Sequence, residues 1–190
     1  MAEIYETIAV SLFSAFAGGY LSHMFAYKFS LKSKKIDGRI LSFTKLLGLK
    51  RPWLQFNRLL LESDLLCEYY DRRYFLSGQS QDREYAIKMF ERKLILIEKL
   101  TAIESELFET VGKILIYNED SKEIKDASMT LMNFNRIVLT EFPGKITTVE
   151  YLESHKNTVI ERFTESISSE YEAKINRLID CLKSVQHFSG

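Results

Sequence analysis

Two cysteines, three histidines and a knot of tyrosines with arginines are the side chains in this 190-residue chain best suited to chemistry. A nucleophilic Cys67 or Cys181 would need a histidine close by, because the thiolate is the reactive form. Cys181 and His187 are six positions apart, which on one helix sets them on opposed faces. Neither cysteine has a short-range partner, so small, buried, reduced thiols are expected, as suits a cytoplasmic domain. His23, His155 and His187 are too scattered to form a compact metal set, and neither His-Glu-x-x-His nor Cys-x-x-Cys occurs. Gly18-Gly19 lacks the Lys-Ser/Thr that completes a phosphate loop. No metal, cofactor or small-molecule substrate is expected, and the chain reads as a non-enzyme. Tyr69, Tyr70, Tyr74 and Phe75 flank Arg72 and Arg73. Such a group can stack on single-stranded nucleic acid. At a helix end it more often packs against a neighbouring helix, and that is the expectation.

The elements that would position these residues are helices. Leu, Ile, Glu, Lys and Phe dominate, with only two prolines and eight glycines, and no strand pair or internal repeat is visible. A short helix is predicted over 40–47, a break at Gly48 and Pro52, and a new helix from Pro52 to about Leu76, closed by a left-handed Gly78. A helix over 83–117 carries Ile87, Phe90, Leu94, Ile97, Leu100, Ile103, Leu107, Val111 and Ile114 at three- and four-residue steps. Asp120 with Glu123 is expected to cap the next helix, reaching Phe142, and Phe142-Pro143-Gly144 to break the chain. Thr147-Thr148-Val149-Glu150 reads as a capping box. The final helix places Leu152, Val159, Phe163, Ile167, Tyr171, Ile175, Leu178, Leu182 and Val185 on one side. The expected architecture is all-α, with a cytosolic antiparallel four-helix bundle over 36–190.

Ahead of the bundle lies the longest uncharged run. Thr7 to Tyr27 is twenty-one residues without Asp, Glu, Lys or Arg. As a helix it reaches ~30 Å, the thickness of a bilayer's hydrocarbon core. A cleavable signal would carry positive charge before the apolar run, whereas Glu3 and Glu6 precede this one. An interfacial helix would need a charged face. Residues 28–58 hold nine Lys or Arg against Asp37 alone, and 59–190 are net acidic. The basic excess after the run predicts a single-pass inner-membrane anchor, with the N-terminus outside and the bulk of the chain cytoplasmic. Residues 1–35 then form anchor and collar, with Lys28, Lys32, Lys34, Lys35 and Arg39 at the anionic headgroups of the lipid bilayer.

At 100° per residue Thr7, Ser11, Ser14, Gly18 and Ser22 fall within about 80° of one another, with Ala15 beside them. Hydrocarbon gives such a stripe nothing to bond. Small residues let helices approach closely, so the stripe is read as a packing seam in a homo-oligomer or as the lining of a pore. His23, near the cytoplasmic end of the span, is expected to sit neutral among headgroups beside Tyr20 and Tyr27 rather than to act as a pH-sensitive gate.

An acidic N-terminus, one anchor with a small and polar stripe, a basic collar and a helical cytosolic domain together resemble the small accessory membrane proteins of type VI-B CRISPR systems. The resemblance is one of architecture and length, without a diagnostic motif. It implies a HEPN-like helical bundle with a degenerate nuclease motif, assembly into a membrane pore that strengthens antiviral defence, and a CRISPR effector complex or its RNA products as partner. The Arg–His pair of active RNA-cleaving bundles is absent. Arg177 and His187 have nine residues between them, and His155 follows Glu150, a carboxylate unable to stabilise phosphate charge. A membrane-bound RNase is disfavoured on that ground. A membrane-tethered scaffold is the alternative to the pore.

Overall fold

A computed structural model describes the backbone of residues 2–133 and 148–187, with side chains from Tyr20 onward except at 163, 167, 186 and 187. Every regular element among the described residues is a helix, and none is a strand: α1 (Ala2–Ser77), α2 (Ser80–Tyr117), α3 (Lys122–Met132) and α4 (Val149–His187). The chain divides into two compact units, Met1–Leu41 and Ser42–Gly190.

The predicted break at Gly48 and Pro52 does not occur, for α1 runs through both. A proline inside a helix removes one backbone hydrogen bond and crowds the carbonyl four residues back, at about 3 kcal/mol. Register outweighs that loss. Ser42, Leu46, Trp53, Asn57, Leu61, Leu65 and Tyr69 are all buried, at steps of four and seven that only an unbroken helix keeps on one face. Burying one large apolar side chain is worth ~1.5–3 kcal/mol, and Leu46 and Trp53 lie on either side of the proline. At the other end the expectation holds. Gly78 adopts φ 69 and its N–H donates to the Tyr74 carbonyl at 2.8 Å.

The α1–α2 contacts run in opposite directions along the two helices. Lys45 meets Glu106, Asp64 meets Lys93, the Cys67 thiol donates to the Ala86 carbonyl and Arg73 reaches Asp82. The same holds for α4: Lys50 pairs with Glu172, Trp53 stacks on Tyr171, Lys156 lies over Tyr69 and Arg73 reaches Glu153. Both helices are therefore antiparallel to this part of α1, and α3 packs on α2 and α4.

On α2 the second half buries the expected face: Leu100, Leu107, Val111 and Ile114. In the first half the face turns. Asp82, Ala86 and Leu96 are buried there, while Ile87, Phe90 and Leu94 are about half exposed. On α4 the predicted side is the buried one at Leu152, Val159, Tyr171, Ile175, Leu178 and Leu182, with Val185 packed against it. Phe163 and Ile167 lie outside the described side chains. The cap of α3 moves by one residue. Ser121, not Asp120, caps α3 by accepting from the Ile124 N–H at 3.3 Å. Thr148 Oγ1 accepts from the Tyr151 N–H at 3.3 Å at the start of α4. The helix end expected at Phe142, the Phe142-Pro143-Gly144 break and Thr147 lie outside the described residues.

Candidate functional site

The predicted stripe of Thr7, Ser11, Ser14, Ala15, Gly18 and Ser22 lies on α1, where the backbone is helical. Of these only the Ser22 side chain is described, and it is exposed. Among the described residues no helix is long and apolar enough to cross a membrane. The expected span at 7–27 falls largely on residues whose side chains lie outside that description. Lys28, Lys32 and Lys34 of the collar are exposed, whereas Lys35 and Arg39 are half-buried and engaged with neighbours. Around these cations Phe25, Phe29, Leu31, Ile36, Ile40 and Leu41 also stand exposed.

Most of the tyrosine–arginine knot packs as expected, but Phe75 does not, standing 89% exposed. Tyr69 is buried, meets Tyr70 edge-on at 5.0 Å, and Tyr70 lies 5.1 Å from Tyr85 of α2. The Lys156 ammonium sits 4.8 Å from the Tyr69 ring centre and 5.4 Å from that of Tyr70, within cation–π range. Arg72 pairs with Glu68 one turn back at 2.6 Å. Arg73 reaches Asp82 at 3.3 Å and Glu153 at 3.2 Å, joining α1 to both α2 and α4. A hydrogen bond to Tyr69, reinforced by the two carboxylates, raises the Arg73 pKa and keeps the guanidinium charged. Asp82 is almost fully buried, accepts from Ser77 Oγ at 3.1 Å, and sits in the first turn of α2, where the helix dipole favours an anion. The arginines are thus held by carboxylates rather than offered to a nucleic acid.

A second cationic group leads to a cavity. Lys50, Arg51 and Arg58 line a groove of about 570 Å³ between α1 and α4, with Leu47 and Leu54 as apolar surface and Gln55, Ser168 and Glu172 as the remaining polar groups. Lys50 spans the two helices to Glu172 at 2.9 Å. That hydrogen bond, with the lysine's charge, lowers the Glu172 pKa and keeps its carboxyl ionised. Arg51 and Arg58 make no ion pair among the described residues. Sequence reasoning counted all three cations into one basic belt. The seven-residue spacing of Arg51 and Arg58 on a helix was the available signal, but nothing local announced that Ser168 and Glu172 would face them.

The groups considered for bond-breaking chemistry sit apart from that groove. Cys67 and Cys181 are free and half-buried rather than fully buried. Burial raises the Cys67 pKa, with Lys93 pulling the other way, so the unreactive thiol form is favoured. His155 is exposed and stacks on Tyr151 at 4.0 Å, its Nδ1 2.9 Å from Ser154 Oγ and from the Tyr151 carbonyl. His23 is exposed on α1. Among the described residues no group of His, Cys, Asp and Glu could hold a metal ion. No protein-family model, curated protein or solved structure matches the chain.

Proposed function

We propose that this is a single-pass inner-membrane protein, N-terminus outside, whose cytosolic four-helix bundles associate into a homo-oligomer and whose anchors form or gate a pore. Its work in this reading is to depolarise the membrane as an effector of antiviral defence, with a CRISPR effector complex or its RNA products as the activating partner. The observation that carries the membrane and oligomer reading is the exposure of Phe25, Phe29, Ile36, Ile40 and Leu41 among the lysines of α1. Phe25, Phe29, Ile36 and Ile40 fall within about 60° of one another around the helix, with Lys32 beside them. Such a set of exposed large apolar side chains marks a surface that another apolar phase covers. Lipid headgroups and acyl chains suit the segment nearest the uncharged run, and neighbouring copies suit the rest. The stripe of Thr7, Ser11, Ser14, Gly18 and Ser22 supplies the polar side such a lumen requires.

Dye release from liposomes tests this reading. Reconstituted protein should leak dye, and the combined Ser11→Leu, Ser14→Leu and Gly18→Leu variant should lose most of the leak while inserting normally. Assembled wild-type protein that passes neither dye nor ions, even with its activator, removes the pore.

A membrane-tethered interaction module is the second reading, favoured by the exposed Ile87, Phe90 and Leu94 of α2. Glu84, Glu91 and Glu98 recur every seven residues beside that stripe, giving it an acidic edge. A tether would keep its activity in the triple leucine variant.

A further inference from the structure

The groove between α1 and α4 carries an inference that does not depend on the pore. We propose that it binds a phosphate ester that bears an apolar body, presented either by an anionic lipid headgroup or by a free molecule. Three features select that chemistry. Arg51 and Arg58 are both exposed and stand seven residues apart on α1, ~10 Å along the axis, so that their long side chains can converge on one anion from two sides. Planar guanidinium forks bind phosphate oxygens in pairs, which a lone ammonium does not. Leu47 and Leu54 line the same cavity, giving the remainder of the ligand an apolar surface to cover.

The groove is large enough for a small ligand and opens widely to solvent. Its volume of about 570 Å³ lies within the range of ~300–1,000 Å³ usual for small-molecule clefts. Three cations face a single carboxylate, Glu172, in its lining. The Lys50–Glu172 pair is partly solvated, its carboxylate side chain being 51% exposed. Exposed pairs exchange partners at little cost, so Lys50 is available as a third donor once a phosphate arrives. Gln55 on α1 and Ser168 on α4 provide neutral hydrogen-bonding groups on the two walls.

Trp53 makes the test direct. It is the sole tryptophan, is buried, and stacks at 5.5 Å on Tyr171, the residue next to Glu172. Full-length protein in a neutral detergent is titrated with dihexanoyl phosphatidylglycerol and, separately, with cyclohexyl phosphate, while Trp53 emission is followed. A saturable change is expected with at least one of them, and which one responds identifies a lipid or a soluble source. The double variant Arg51→Gln, Arg58→Gln should weaken the responding ligand at least tenfold, whereas Lys122→Gln with Lys125→Gln, exposed on α3 and outside the groove, should leave it unchanged. Glu172→Gln, which removes the opposing charge, should tighten binding severalfold, a gain that a misfolded variant would not produce. No saturable response to either ligand, or a double arginine variant that titrates like the wild type, overturns the proposal.

Discussion

Residues 20–41 and residues 42–69 belong to the same helix, yet they treat large apolar side chains in opposite ways. In the second stretch Leu46, Trp53, Leu65 and Tyr69 are no more than 2% exposed, covered by α2 and α4. In the first, Phe25, Phe29 and Leu41 stay 70%, 76% and 71% exposed. Side-chain type does not distinguish the two. What differs is whether the chain itself supplies a covering surface. The 42–190 unit closes its own core through antiparallel contacts, whereas the 1–41 unit presents an apolar surface whose cover in the proposed account comes from lipid and neighbouring copies.

The largest effect is expected where that contrast is sharpest. Trp53→Ala leaves a cavity among Tyr171 and the α1 seam and should cost the 42–190 unit about 3–5 kcal/mol, read from its urea-unfolding midpoint by circular dichroism. Phe29→Ser, a comparable loss of apolar surface, should leave that midpoint unchanged and instead weaken membrane association. Equal destabilisation by both would erase the distinction between the two stretches.

A smaller loss follows from breaking the polar clasp that joins α1 to its two partners. Arg73→Ala leaves Asp82 buried with only Ser77 and its own helix terminus for support, at about 1–3 kcal/mol. Arg73→Lys should recover part of this, because the charge returns without the fork. An Arg73→Ala protein as stable as the wild type would mean that the clasp contributes nothing.

The smallest predicted change is a gain. Pro52→Ala restores an N–H to the turn that begins at Gly48, and should stabilise the helix by about 1–2 kcal/mol after allowance for the looser unfolded chain. Thermal unfolding would report it as a raised midpoint. A lower midpoint would show that the proline's fixed backbone angle, or its packing, contributes more than the missing hydrogen bond.

Much of the helical pattern could be read from single residues. The Gly78 stop depends on backbone sterics alone, and the buried side of α4 on a period that its sequence keeps throughout. Pro52 misled because a local signal for a break was outweighed by burial on both sides of it, which only the packed helices reveal. The first half of α2 misled for a different reason. Its most apolar stripe, Ile87, Phe90 and Leu94, was expected to face inward, but the inward positions belong to Asp82 and Ala86, and to Lys93 paired with Asp64. Charges that find partners across helices can occupy a seam that hydrophobicity alone assigns elsewhere. The groove was hidden for the same reason. Arg51 and Arg58 are plain in the sequence, but the α4 residues opposite them are more than a hundred positions away.

In the proposed arrangement the exposed apolar stretch of α1 is covered by lipid and by other copies of this chain. The mass of full-length protein extracted from membranes in a mild detergent tests it most directly. Release only by detergent, followed by a particle larger than a dimer after the detergent's own mass is subtracted, is the predicted result. A monomer or dimer contradicts the account, since one span per chain cannot then enclose a lumen, and so does full recovery in the aqueous fraction without detergent.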